Sequence, residues 1–158
     1  MIEFAKSTKP PEATQRYRVV GYALGLLATA MAAAQMVSFE EFVAALRDYG
    51  ITGERGTVAL AIALISLEVF SVPFLFRLAL SPLARLFSAL FVVLLPCAWV
   101  FLVFVAFMNG LQPQNAGYFG GFLAMPFDLI VGFTVAWAVI VGATLGPMGG
   151  LKALKPKL

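Results

Sequence analysis

The 158-residue chain has no histidine, a single cysteine and few charged side chains. Without histidine there is no imidazole to act as a general base, to ligate a metal or to complete a Ser-His-Asp triad. The single thiol, Cys97, cannot form an intrachain disulfide, a Cys-x-x-Cys redox pair or a cluster site. We therefore predict no metal site and no catalytic residues.

Charged residues are also scarce. Only 12% of the residues are charged and 61% are hydrophobic, whereas a soluble domain has about 25% charged and about 45–50% apolar residues. So few charges cannot cover the outside of a soluble globule of this size. The net charge of +3 is too small and too scattered to indicate nucleic-acid binding. The mean hydropathy of +0.94 instead indicates that lipid is part of the solvent.

Four apolar stretches are long enough to cross a membrane, because the hydrocarbon core needs about 20 mostly apolar residues in a helix. They are continuously apolar rather than alternating, which favours helices over strands. The first stretch resembles a cleaved secretory signal, but we expect it to be retained. The predicted fold is all-α, an integral membrane bundle of four transmembrane helices. The stretches are residues 19–36, 57–76, 86–108 and 127–147, between tails at residues 1–18 and 148–158.

The Lys and Arg residues predict the orientation. Four precede the first stretch, two lie between the second and third, and three follow the fourth, whereas Arg47 and Arg55 alone lie between the first and second. Cytoplasmic loops carry an excess of Lys and Arg. We therefore predict a multi-pass protein of the bacterial cytoplasmic membrane with both termini in the cytoplasm.

The first outer connection contains a helix pattern. Ser38 and Glu41 have the spacing of a capping box, in which each side chain bonds the backbone amide of the other residue. Gly50 is placed to end the helix. The apolar residues between them predict a short amphipathic helix on the outer side, which serves either as a connector or as a docking surface. These residues are Phe39, Phe42, Val43 and Leu46.

The second outer connection, residues 109–126, has no charged residue but is rich in glycine and side-chain amides. Irregular backbone beside a bilayer is tolerated only where it packs on protein or faces water. We therefore expect this loop to fold over the outer mouth of the bundle. Its candidate contacts to a partner or ligand are Asn115, Gly117, Tyr118, Phe119 and Gly120.

Three pieces of the chain, in this order, resemble the MauE/DoxX-like family of small four-helix bacterial membrane proteins. They are residues 38–50 (SFEEFVAALRDYG), Glu68 in the second apolar stretch, and residues 116–120 (AGYFG). The resemblance covers most of the chain from Val19 onward and implies the four-helix scaffold. MauE-like members typically have Cys-Gly-Cys-Phe-Gly at the third piece and are associated with thiol and disulfide handling. Ala116 and Tyr118 replace those cysteines here, so the resemblance implies only the accessory role that DoxX-like proteins have beside oxidoreductases.

Two acidic residues are candidates for function. A charged carboxylate near the bilayer midplane costs about 2.5–3.5 kcal/mol, so Glu68 should face the bundle interior. It serves either as a proton-relay, ion or ligand contact, or as a packing residue. Asp128 follows Pro126 and meets the positive end of a helix dipole, with a ligand contact beside the second outer loop as the alternative. The candidate packing partners of Glu68 are Ser66, Ser71, Thr29 and Tyr22.

Small residues mark the places where helices approach closely, either within the bundle or against a partner. We expect Cys97, beside Pro96, to be an inert core residue. The small residues form two stripes: Gly21, Gly25 and Thr29, and Ala138, Gly142 and Gly146.

Three functional hypotheses follow. The lack of nucleophiles and metal ligands favours a non-catalytic subunit that stabilises or anchors a larger membrane assembly. The alternatives are a DoxX/MauE-like accessory protein of an oxidoreductase or quinone-linked system, and a small transporter that uses Glu68. We predict no cofactor, and bound lipid or quinone is the alternative. The predicted partners are membrane lipid and other membrane protein subunits, and nucleic acid is not among them.

Overall fold

The computed structural model describes residues 7–10, 12–51, 53–123 and 125–145. Within these ranges the chain forms five helices and no β-strand, which confirms the all-α prediction. The helices are α1 (Gln15–Val37), α2 (Phe39–Arg47), α3 (Glu54–Leu75), α4 (Pro82–Met108) and α5 (Phe127–Leu145).

Three helices, α1, α3 and α4, are long and apolar enough to cross a membrane, whereas the apolar stretch of α5, Asp128–Thr144, is shorter. The three indicate a membrane protein. Each begins three or four residues before its predicted apolar stretch, because a helix starts at its cap rather than at its first apolar residue. In α4, for example, the Ser81 hydroxyl accepts a hydrogen bond from Ala84 N–H, and Pro82 occupies the first helical position. Gly146 and the C-terminal tail lie outside the described residues.

The helices pack in a simple order. α3 lies between α1 and α4, and α5 packs chiefly on α4. The turn at residues 76–81 makes α3 and α4 antiparallel neighbours, and the N-terminal segment is bonded to it. Thr8 N–H donates to Leu80 O (3.0 Å), and Arg85 Nη2 donates to Thr8 O (2.7 Å). We call this the Arg77 end of the bundle and the opposite end, which carries α2 and the loop at residues 109–123, the α2 end.

A serine of α4 is inserted into the backbone of α3. Pro73 has no N–H to donate, which weakens the helix locally. The Ser88 hydroxyl donates to Phe70 O (2.6 Å) and accepts from Phe74 N–H (3.0 Å), two groups that a regular helix joins directly. A side chain placed in the helical ladder is a recognised cause of a kink. Ser88 therefore joins α3 and α4 at the Pro73 position.

The connection from α1 to α2 differs from the predicted capping box. The Ser38 hydroxyl makes no cap bond to α2. It donates to Ala34 O (2.8 Å) and accepts from Gly121 N–H (2.8 Å). The capping-box prediction is wrong because α2 follows α1 after a one-residue break, so the hydroxyl bonds back into α1 and its acceptor site is taken by the distant loop.

The amphipathic pattern of α2 is confirmed. Its buried face packs near the loop, where a Cβ on Gly117 would lie 3.1 Å from Phe42, while Glu40, Glu41 and Arg47 are exposed. Gly50 has a positive φ of 66° and follows the helix end. The buried residues are Phe42, Val43, Ala45 and Leu46.

The small residues lie in two different environments. Gly25 is buried, and a Cβ there would lie 3.3 Å from the Leu75 side chain, so this glycine lets α1 approach the end of α3. Gly21 is also buried, but Thr29 is exposed. On α5, Ala138 is half-buried and Gly142 is exposed with nothing within 4 Å of a Cβ. Of the second stripe, Gly142 therefore makes no close contact within this bundle.

The prediction that Cys97 is a core residue is wrong. Cys97 is exposed on the outside of α4, whereas Pro96 and Trp99 are buried. Successive residues of a helix are rotated by about 100°, so the residue beside a buried one often faces outward.

Candidate functional site

The buried acid predicted near the middle of the second apolar stretch lies in a cluster of polar side chains. Gln35 of α1 is hydrogen-bonded to Glu68 of α3 and to the backbone of Tyr118 in the loop, and Trp99 of α4 packs on the Tyr118 ring. We call these four residues the Glu68 cluster. Each has 0% relative exposure. Glu68 is the only fully buried acidic side chain in the described part of the chain.

A single amide joins three parts of the molecule in this cluster. Gln35 Nε2 donates to Glu68 Oε1 (3.0 Å) and to the backbone oxygen of Tyr118 (3.0 Å). The amide therefore links α1 to α3 and to the loop. Sequence reasoning missed Gln35, although it is the only side-chain amide in the first apolar stretch. A lone amide among apolar helical residues is the signal that was available.

The packing partners predicted for Glu68 are wrong. Ser71 is the nearest match, but its hydroxyl donates to the backbone oxygen of Glu68 (2.7 Å) rather than to the carboxyl group. Ser66 and Thr29 bond back within their own helices, to Ile62 O (2.7 Å) and Gly25 O (2.8 Å). Tyr22 stacks on Phe76. Serine and threonine in helices commonly bond the preceding turn in this way, which leaves the carboxyl to another helix.

The position of the cluster follows from the helix lengths. Glu68 is fourteen residues from the first residue of α3, about 21 Å along the helix axis. Its partner Gln35 is near the last residue of α1. At the α2 end of the bundle, α1 therefore ends well before it reaches the level at which α3 begins. α2, which packs on α3, lies in part of the space between these two levels.

The loop re-enters the bundle to reach this level. The ring centroids of Tyr118 and Trp99 are 4.1 Å apart, and Trp99 is nine residues before the end of α4. That separation is about 13 Å along α4. The Tyr118 hydroxyl is hydrogen-bonded to Thr134 of α5, and its ring meets Phe133 edge-on at 5.1 Å. One loop residue thus contacts both α4 and α5.

The loop is shaped by Asn115 and its glycines. Asn115 Oδ1 accepts from Gly117 N–H (3.0 Å), and Asn115 Nδ2 donates to Gly120 O (2.9 Å). Gly120 has a φ of 57°, and a Cβ there would lie 2.0 Å from the Ser38 hydroxyl, so only glycine fits. Phe119 is half-buried. The loop packs on protein, as the sequence predicted for uncharged irregular backbone beside a bilayer.

Comparison of the chain with family models, curated proteins and solved structures gave no match. The resemblance to the MauE/DoxX-like family therefore stays a prediction. The two positions at which the family has cysteines are fully buried here. The backbone oxygen of Ala116 accepts from the Tyr49 hydroxyl (3.1 Å), and that of Tyr118 accepts from Gln35. Both residues hold the loop through their backbone.

The electrostatics of the cluster favour neutral groups. No cationic side chain pairs with Glu68 in the ranges that the structure describes, and its hydrogen-bond donor is a neutral amide. The Trp99 indole lies close enough to interact with the carboxyl group. Burial raises the pKa of Tyr118, which the loop contributes to the cluster, and that of Tyr49, which follows α2, above the ordinary range. A cluster of this kind supplies hydrogen bonds without an ion pair or a nucleophile.

Asp128 is not part of the cluster. It is exposed in the first turn of α5, where a carboxylate is stabilised by the helix dipole. Among the residues that the structure describes, no group of three metal-binding side chains occurs. Of the predicted site residues, the structure brings Glu68 and Tyr118 together and places Asn115, Gly117 and Gly120 in the loop that carries Tyr118.

Proposed function

We propose that this protein is a non-catalytic subunit of a larger membrane assembly, which it stabilises or anchors. The observation that carries the proposal is the Gln35 bridge. The one fully buried acid of the described chain is bonded to an amide that also holds the re-entrant loop. Through Gln35, Glu68 holds α1, α3 and the loop together at the α2 end. This is a structural role rather than a catalytic one.

The proposal includes α5 as a fourth membrane span. α5 packs along α4, and several of its large apolar side chains are exposed, as lipid-facing residues are. The predicted stretch of 21 residues, from 127 to 147, is about 31 Å long as a helix, which matches the hydrocarbon core. The exposed residues are Leu129, Val131, Val135, Val139 and Ile140.

The charges support the proposed orientation, with the Arg77 end in the cytoplasm of a bacterium and the α2 end outside. Basic residues collect at the Arg77 end, as the positive-inside rule requires. At that end the described charged residues are Lys9, Arg16, Arg18, Arg77 and Arg85 against Glu12; at the α2 end they are Arg47 and Arg55 against Glu40, Glu41, Asp48, Glu54 and Asp128.

A face of α5 is suited to a partner helix. Gly132 and Gly142 are exposed, and a Cβ at either would meet nothing within 4 Å. Glycine at such a position lets the backbone of another transmembrane helix approach closely. The face is open because α5 packs chiefly on one side, against α4.

Purification of the tagged protein from its native membrane in mild detergent, followed by mass spectrometry of all bound proteins and lipids, tests the proposal. We expect a stoichiometric membrane protein partner. Recovery of a stable, partner-free bundle would contradict it. A bound quinone or a redox enzyme would identify the accessory role instead, and solute uptake by the reconstituted protein alone would identify a transporter.

A pair of variants makes the test sharper. Gly142→Leu should reduce partner recovery without lowering the thermal stability of the isolated bundle, because nothing within the bundle contacts that position. Ala63→Leu is the matched control, since Ala63 is an exposed small residue of α3. Equal partner recovery with both variants would exclude the α5 face as the docking surface.

A further inference from the structure

An open groove runs between α3 and α4 on the outside of the bundle, from the Arg77 end inward. Its volume of about 370 Å³ is within the range of about 300–1,000 Å³ that is usual for ligand sites. Leu80 and Ala84 lie at its outer end. The rings of Phe70 and Phe91, with centroids 5.7 Å apart, lie at its inner end. Phe91 is seven residues after Ala84 in α4, so the groove extends about 10 Å along the helix axis. The remaining lining residues are Pro73, Phe87 and Ser88.

The lining of the groove suits a hydrocarbon chain. Ser88 has the only polar side chain among the lining residues, and its hydroxyl proton is already donated to Phe70 O (2.6 Å). The lining therefore offers no side-chain donor to the carbonyl oxygens of a quinone. Phe70 and Phe87 are 56% and 50% exposed, so the groove presents aromatic carbon to whatever covers it. The part of a ligand that lies here must be apolar.

Positive charge collects at the outer end of the groove. Arg85 Nη2 donates to Thr8 O (2.7 Å) and Leu80 O (3.5 Å), which are neutral acceptors and leave the charge uncompensated. In the described ranges no carboxylate is paired with Arg85. Arg77 lies close enough for the two guanidinium charges to repel each other.

Lys9 adds an exposed cation at the same place. Thr8 N–H donates to Leu80 O (3.0 Å), so Lys9, the next residue, lies beside the turn that carries Leu80 and is exposed there. α4 also begins at this turn, and the positive end of its dipole favours an anion. Each Lys or Arg near a membrane surface raises the affinity for anionic lipid about fivefold.

We propose that this groove binds one anionic phospholipid. One acyl chain lies in the groove against Phe70, Phe87 and Phe91, and the phosphate lies at the Arg77 end beside Lys9. The groove follows the axes of α3 and α4, which is the direction of acyl chains beside helices that cross a membrane. The apolar lining holds the hydrocarbon, and the positive charge selects an anionic headgroup. The lipid is bound in this way whether or not the protein works in a larger assembly.

Native mass spectrometry of the purified protein tests the proposal. The protein in detergent is given equal amounts of phosphatidylglycerol and phosphatidylcholine with the same acyl chains. We expect the phosphatidylglycerol adduct to exceed the phosphatidylcholine adduct at least fivefold. Lys9→Gln should lower this ratio about fivefold, whereas Arg55→Gln, which removes an exposed cation at the α2 end, should leave it unchanged. Equal adducts in the wild type, or an unchanged ratio in Lys9→Gln, would overturn the proposal.

Variants of the lining test the place of the acyl chain. Ala84→Phe fills the outer end of the groove and should reduce the adducts of both lipids, whereas Ala23→Phe, at an exposed alanine of α1 outside the groove, should not. Phe87→Ala removes an exposed wall without adding volume and should also reduce both adducts. Thermal unfolding without added lipid identifies the variants that are folded. Wild-type adducts in folded Ala84→Phe or Phe87→Ala protein would overturn the proposal.

Discussion

Replacement of Gln35 by leucine should destabilise the bundle more than any other single loss of a neutral side-chain amide. Leucine is of similar size and favours helix, so the change removes mainly the two hydrogen bonds that Nε2 donates to Glu68 Oε1 and Tyr118 O. A buried hydrogen bond contributes about 0.5–1.5 kcal/mol net, and a stranded acceptor costs about 1–3 kcal/mol. Side-chain bonds between membrane helices average about 0.6 kcal/mol. The expected loss in the free energy of unfolding is therefore about 2–4 kcal/mol.

A double-mutant cycle isolates the Gln35–Glu68 pair. Gln35→Leu with Glu68→Leu removes both partners, so the carboxyl is no longer stranded. The double variant should be more stable than the sum of the single losses predicts, by about 1–2 kcal/mol. Reversible denaturation in mixed detergent micelles measures these differences. Tryptophan fluorescence can report the unfolding, because the rings of Trp99 and Trp137 both lie near Tyr118.

Gln112→Leu is the matched control, since Gln112 is an exposed amide of the same loop. Its effect should be within about 0.5 kcal/mol of zero. Equal stability of the Gln35→Leu and Gln112→Leu proteins would refute the role given to the amide bridge. Strict additivity in the cycle would refute the pairing of Gln35 with Glu68.

Three further predictions concern other parts of the bundle. Ser88→Ala should lower the free energy of unfolding by about 1–3 kcal/mol because it removes both hydrogen bonds that the hydroxyl makes to the backbone of α3, whereas Ser66→Ala, which removes only a bond within its own helix, should change it little in the same denaturation assay. Gly25→Leu should reduce thermal stability by about 1–3 kcal/mol through overpacking, whereas Gly142→Leu should not reduce it. Because burial raises the pKa of Tyr118, its stabilising effect is full below the ordinary value of about 10 and is lost as the pH rises above it; unfolding curves for the wild type and Tyr118→Phe should therefore converge in alkaline buffer, and a constant difference would contradict this.

The helical architecture could be predicted because it depends on local composition. Long apolar runs predict the helices α1, α3 and α4, and the polar residues that begin them account for the differences at their starts. The periodicity of residues 39–46 likewise predicted the buried face of α2. Each of these properties is set by residues close together in the chain.

The contacts of the site could not be predicted in the same way. The pairing of Gln35 with Glu68 depends on how far α1 and α3 are displaced along each other, and no local pattern encodes that displacement. The Ser38 pattern is a capping box in sequence, but its hydroxyl is bonded by Gly121, which is 83 residues away. The outward direction of Cys97 likewise depends on which face of α4 meets α3 and α5.

Partner recovery with Glu68→Gln most directly tests the claim that Glu68 has a scaffolding role. Glutamine keeps the shape and the acceptor for Gln35 but cannot carry a charge or release a proton. We predict that the variant is as stable as the wild type and recovers the same membrane partner from native membranes in equal yield. A stable, correctly folded Glu68→Gln protein that fails to recover the partner would contradict that claim and would assign Glu68 a role as an acid.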